Sequence, residues 1–426
     1  MLKKQSSLIV LTSIIGLFFS SCAETEPRVL TIWAWNRNTA ILENAIQRYK
    51  ETVDPSFEAQ VISFSQNDID MKIQSAIQLG NGEDLADILL GDAMRIRGYH
   101  DRWPELFYDF SKSKITSKEL SGFAPASIDL VKEEGKIFAL PYGIAPTLVF
   151  AYRPLWKPEE LDDISQNGWT WEDYKHYGKQ IQERNKGKPI FMTAYNLRKD
   201  DRLYRTLSSQ WGEWFMGSDL IVQVGNNLSL RHMSFVKELY EEKLLGHIDT
   251  GDYIPLMAEG QIAAQIQGFF LSGQLKNVAP QSSGKWILLP LPSWDVKSNK
   301  NSITGGSYLY VNAFSDQSRR GSDFVHWFSI DQNSSQDKLR TGGIFPAHTS
   351  VYSSVEFKKP DDFFGGQIFL HAVAQSVESA PAIYPSRFNT QNYNLFIEAQ
   401  ERILFHGADI NTELANVASM ISENAK

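Results

Sequence analysis

From residue 29 the polar positions almost vanish for seven residues. Val29 to Trp35 reads VLTIWAW, nearly all apolar and rich in β-formers, the pattern of a parallel strand covered on both faces. Asn38 or Thr39 then supplies a cap, and Ile41, Ala45 and Tyr49 recur on one face of a helix. QVISF (60–64) predicts a second strand, Ile69, Ile73 and Ile77 a second helix, and ADILLG (86–91) a third strand. Strand, helix, strand, helix, strand with right-handed crossovers is the start of an open parallel sheet. Ligands of such sheets sit beyond the carboxyl ends of the strands. Those ends here are Trp35–Asn38 and Gly91–Arg95.

A second unit follows KIFALPYG (136–143). Thr170 and Asp173 form a capping box after Gly168-Trp169, with Tyr174, Tyr177 and Ile181 behind it at helical spacing. Met257-Ala258-Glu259 closes another helix, and Gly260 is its stop. IAAQIQ (262–267) reads as a strand leading to Gly268, Phe269 and Phe270, and KWILLPLP (285–292) as one that ends at prolines. SITGGSYLYVNAF (302–314) is a strand entered through a double glycine. Residues 318–330 predict a helix with Phe324, Val325 and Phe328 inward, TGGIFPAHTS (341–350) breaks the pattern, and helices fill most of the tail.

The first 21 residues carry a different pattern. Lys3 and Lys4 precede the mostly apolar run Leu8–Phe19, and Ser20 and Ser21 follow it. Twelve apolar residues fall short of the roughly twenty needed to span a bilayer, so the stretch reads as a signal peptide. Cys22, the only cysteine, comes next, and small residues directly before a Cys resemble the lipobox of bacterial lipoproteins. Phe19 departs from that pattern, which usually has Leu there. The resemblance implies a thioether-linked diacylglycerol on Cys22 as the new N-terminus, with residues 22–28 as a tether.

Without residues 1–21 the chain has 426 − 21 = 405 residues, and losing two lysines moves its charge from −8 to −10. A single thiol excludes a disulfide framework or a cysteine-based metal site. An acidic chain with no basic run is a poor partner for nucleic acid. The 11 Trp, 16 Tyr and 25 Phe supply core, and also rings that can stack on a ligand. The eight histidines lie at no metal-ligand spacing, and no nucleophile elbow, Walker loop or dinucleotide fingerprint occurs. No catalytic residue, cofactor or metal is expected, although two carboxylates of a glycosidase would leave no sequence mark.

In order along the chain, LADILLGD (85–92), IFALPYG, AYRPLW (151–156), GWTWEDY (168–174), AEGQIAAQIQGFF (258–270), TGGSYLYVNAF and Gly343–Ala347 resemble the family 1 extracellular solute-binding proteins, sugar receptors of bacterial ABC importers. The resemblance implies an α/β, two-lobed periplasmic-binding-protein fold of type II, each lobe a sheet flanked by helices. It places residues 29–141 and 311–340 in the N-terminal lobe and 142–310 and 341–426 in the C-terminal lobe. Hinge crossings are then expected near Leu140–Ala145, Gly305–Tyr310 and Thr341–Pro346, where the glycine pairs would absorb the φ/ψ change of closure.

A sugar offers hydroxyls for polar groups and C–H patches for aromatic faces. The resemblance implies ligand contacts from Trp35, Asn36 and Arg37 at the end of the first strand. Asp92 ends the third strand, where a carboxylate can accept two hydroxyls. Arg95 is expected in solvent or a salt bridge, and Trp33 in the core. Tyr142 lies beside the first crossing. Phe269 and Phe270 stand where the family carries a cleft tryptophan, keeping the ring and losing the indole donor. Gly306, Ser307 and Tyr308 would present backbone amides and a hydroxyl. The implied protein is a monomeric receptor, lipid-anchored in the cell envelope and facing the periplasm or exterior, that hands a carbohydrate to ABC permease subunits. The alternatives are a polyol, glycerol phosphate or uronate in the same fold, or a secreted carbohydrate-active enzyme or lectin.

Overall fold

The apolar run becomes β1 (Leu30–Ala34), which lies between two parallel neighbours, β2 (Ala59–Ser63) and β3 (Ile88–Asp92). The intervening helices, Asn38–Thr52 and Gln66–Leu79, bury Ile41, Ala45, Tyr49, Ile69 and Ile73 as their spacing requires. The computed structural model describes residues 28–35, 38–217, 219–249, 253–295 and 297–425. The expected signal peptide, Cys22, Asn36 and Arg37 therefore lie outside the described residues.

KIFALPYG (136–143), after which the second unit is expected to begin, splits between two elements. Lys136–Ile137 forms a small hairpin with Lys132–Glu133, and β4 runs from Leu140 to Tyr152 with all thirteen residues buried. β5 (Ala264–Gly268), β6 (Trp286–Leu289) and β7 (Ile303–Val311) complete a seven-stranded sheet ordered β6-β4-β7-β3-β1-β2, with β5 also on β4. β7 is antiparallel to both β3 and β4, so the sheet is mixed and only β1–β3 are parallel.

β4 changes partners along its length. Leu140 to Pro146 pairs with β7, whereas Thr147 to Tyr152 pairs with β5 and β6. The β4–β7 register shifts between Ile303 and Gly306 and again between Ser307 and Tyr308, the irregularity that lets a strand bend. A third segment joins them, where Ile144 and Phe345 pair and the Ile144 N–H donates to Phe345 O at 2.9 Å. Gly343 precedes that segment at φ 60°, and a Cβ there would stand 2.7 Å from the Gly273 nitrogen.

Two apolar cores result. One surrounds β1–β3 and the shared strands, reaches Val377, and contains Phe324, Val325 and Phe328 of the predicted helix Ser318–Ile330. The other holds Trp169, Trp171 and Tyr174 behind the Thr170–Asp173 capping box, together with Phe396, Ile403 and Leu414 of the tail. Two α/β lobes are thus joined by strands that belong to both.

Candidate functional site

The register of the sheet sets the floor of a cleft. Ser307 lies across from Asp92 on one side and from Gly143 on the other. Gly143–Ala145 and Thr304–Ser307 floor a cavity of about 420 Å³ between the lobes. The floor is bare by necessity, since a Cβ on Gly306 would sit 2.8 Å from Gly143 O, and one on Gly143 2.3 Å from Ile344 Cγ2. Such a surface brings backbone polar groups within reach of a ligand.

On the first-lobe wall, Asp92 caps the helix Ala93–Arg102 by accepting the Met94 N–H at 2.9 Å. Burial raises its carboxyl above the ordinary range, against the Met94 N–H, the more distant Arg205 and Arg202, and a hydrogen bond from Gln66. Arg95 also lines the cavity and is ion-paired to Asp70, whose other oxygen accepts the Tyr99 O–H at 2.7 Å.

The opposite wall is aromatic and cationic. The Phe270 ring fills the space a side chain on Gly268 would need, with Cε1 2.6 Å from that Cβ position. Arg202 and Arg205 project from the helix Arg202–Ser209, and Trp214 and Tyr393 place rings 5.4 and 5.9 Å from the Arg205 guanidinium. Asn389 spans the lobes. Its Nδ2 donates to Met94 O at 3.0 Å while its Oδ1 accepts the Trp214 indole N–H.

A family model described as bacterial extracellular solute-binding protein matches residues 44–365. The chain belongs to this family. A lactose-binding protein of Rhizobium radiobacter is 26% identical over 383 residues, covering 86% of this chain and 84% of its own. An arabinooligosaccharide-binding protein of Halalkalibacterium halodurans is 23% identical over 371 residues, 84% of this chain and 79% of its own. The solved structure of the sugar-binding protein MalE from Xanthomonas citri shares the fold with a TM-score of 0.75 at 15% identity, covering 93% of this chain and 96% of that one.

In this solute-binding protein, Asp92, Phe270, Gly306 and Ser307 of the sequence candidates meet at the cleft. Trp35 is 7% exposed, packs in the first core and is not among the lining residues. Three candidates turn away from the cavity. Tyr308 follows cleft-facing Ser307 and so points to the other face of β7, where its O–H donates to Ser127 O at 2.9 Å. Tyr142 precedes Gly143 on β4 and is fully buried against Phe328, with ring centroids 5.4 Å apart. Phe269 packs on Phe345 and Phe369 while its neighbour Phe270 takes the cleft. Arg95 is both salt-bridged and cleft-lining.

The cavity of the solute-binding protein is also lined by residues the sequence did not single out. Arg202, Arg205, Trp214, Asn389, Thr390 and Tyr393 all line the second wall. The one local signal is RKDDRLYR (198–205), where arginines three apart follow two aspartates at a helix start. Among the described residues, only His100, Asp101 and Glu133 gather potential metal ligands, and Arg97 already bonds both carboxylates at 2.8 and 2.6 Å. That guanidinium supplies the positive charge a cation would bring.

Proposed function

We propose that this protein captures a carbohydrate, a mono- or oligosaccharide, between its lobes and delivers it to the permease subunits of an ABC importer. The observation that carries the reading is the make-up of the cavity: rings at Phe270 and Trp214, hydroxyl-pairing groups at Asp92, Ser307 and Thr390, and a bare glycine floor. Its relatives' names, lactose- and arabinooligosaccharide-binding, point the same way. Closure is the output, because a ligand shifts the lobes only by its extra affinity for the closed form. In this reading the chain crosses between lobes near Leu140–Ala145, Gly305–Tyr310 and Thr341–Pro346, with the lobes at 29–141 with 311–340 and 142–310 with 341–426; the change of partners along β4 supports the first crossing. The protein works as a receptor without chemistry of its own, and release of reducing ends from glycans would show an enzyme instead.

A thermal-shift panel of sugars, oligosaccharides, polyols and amino acids tests the reading. A saccharide at tenfold excess over its Kd stabilises the native state by about 1.4 kcal/mol. That amounts to a few degrees, at roughly 2–4 °C per kcal/mol for domains somewhat smaller than this chain. Hits among amino acids with every saccharide silent would overturn it.

The anchor is a separate expectation. Among the described residues no helix is long and apolar enough to cross a membrane, and the family is extracellular. A mature chain that begins at lipidated Cys22 would hold the receptor at the membrane. Intact-mass analysis of detergent-extracted protein should show that start with acyl mass added; a form cut elsewhere with a free thiol would refute it.

A further inference from the structure

Three guanidiniums and one carboxylate line the cavity: Arg95, Arg202, Arg205 and Asp92. On that count alone the site resembles an anion trap. The row behind the wall reverses this impression. Arg95 is paired with Asp70, Arg202 with Asp200 and Arg205 with Asp201, so every cleft cation has its own carboxylate and Asp92 is left over.

The Arg205 pair is the most deeply buried. Its Nε and Nη2 both donate to one oxygen of Asp201, the Nε at 3.0 Å. Asp201 is 1% exposed, beyond the reach of water or ligand. Burial works against the Arg205 charge, and Asp201, with Asp200 behind it, more than restores it. The guanidinium faces Trp214 and Tyr393, which limit its rotation. Arg205 lines the cavity and its Nη1 makes no hydrogen bond to any described residue, which leaves two N–H groups available to ligand oxygens.

We propose that the Arg205–Asp201 pair sets the charge preference of the site: it donates hydrogen bonds through Nη1 while cancelling its own charge, which admits a neutral saccharide unit and disfavours an acidic one. The inference rests on the carbohydrate reading and adds a selectivity that the reading does not require. A carboxylate on the ligand would lose hydration, find no uncompensated cation, and face Asp92 across a narrow cavity.

Matched pairs that differ only at C6, glucose with glucuronate and galactose with galacturonate, test this by titration calorimetry. The wild type should favour the neutral member at least tenfold. Asp201→Asn keeps an amide oxygen for Nε and Nη2 but removes the carboxylate paired with Arg205 and leaves a net positive charge in a low-dielectric wall, so the ratio should move at least tenfold toward the uronate. Should Asp201→Asn not fold, Asp200→Asn, at the more exposed pair of Arg202, should move it in the same direction by a smaller factor. A wild type that prefers uronates, or variants that bind with an unchanged ratio, would overturn the inference. Silence of the wild type to every saccharide would instead overturn the carbohydrate reading.

Discussion

Asp92→Ala should weaken saccharide binding more than about tenfold. A hydrogen bond from a hydroxyl to a carboxylate contributes roughly 1.5–3 kcal/mol, and each 1.4 kcal/mol is a factor of ten in affinity. Asp92 also caps the helix Ala93–Arg102, so the alanine variant loses about 1 kcal/mol of stability for a reason unrelated to ligand. Asp92→Asn separates the two effects, because asparagine caps as well as aspartate and lacks the charge. It should melt close to the wild type and still bind weakly. The neighbouring phenylalanines give the matching contrast. Phe270→Ala should weaken binding with little loss of stability, since its ring is only partly buried. Phe269→Ala, 3% exposed between Phe345 and Phe369, should cost about 3–5 kcal/mol of folding stability. If Phe270→Ala melts far below the wild type while its folded fraction binds sugar normally, the cleft wall is elsewhere.

Lys338→Met should make the protein more stable, and more so at neutral than at alkaline pH. Lys338 is 1% exposed, with its ammonium 4.2 Å from the Phe328 ring centroid and 5.0 Å from that of Tyr142. Burial pushes its pKa from 10.5 down to about 7, against the pull of Asp331 and with the help of Arg48. Between about 7 and 10.5 the unfolded chain therefore binds the extra proton, so stability rises with pH through that window. Below it the penalty is complete, at most about 5 kcal/mol on 1.36 kcal/mol per unit, of which the cation–π contacts return up to about 2. Methionine fits an unbranched apolar slot without a charge. A gain of about 2–3 kcal/mol at pH 7 that fades by pH 10 is expected from urea unfolding. An equal gain at both pH values would refute the account.

Much of the framework was legible because its signals are local. β1 to β3 are short apolar runs bounded by helical periodicity, and the Thr170–Asp173 box marks a helix start that tertiary packing had no reason to override. Asp92 and Phe270 were also legible, since each follows directly from where a strand ends. Facing was harder. All thirteen residues of β4 are buried, so no alternation of polar and apolar positions tells which side Tyr142 takes. Tyr308 was misplaced for the same reason, on a strand whose last four residues are all buried. The second wall was invisible for a different reason. Arg205, Trp214 and Asn389 arise from helix starts and loops far apart in the chain, and only the tertiary fold brings them opposite Asp92.

The change of partners along β4 bears on how such a protein can arise and vary. Neither lobe owns its complete sheet: removing the stretch that holds β5 and β6 strips the second half of β4, and removing β7 parts β3 from β4. A genetic exchange that swapped one lobe between two relatives would have to cut β4 and β7 at the same rung of the ladder and match both twists. Crossovers between lobes should therefore be selected against. On this argument the two halves should travel together, and new ligand preferences should arise from point changes on the walls more readily than from shuffled lobes.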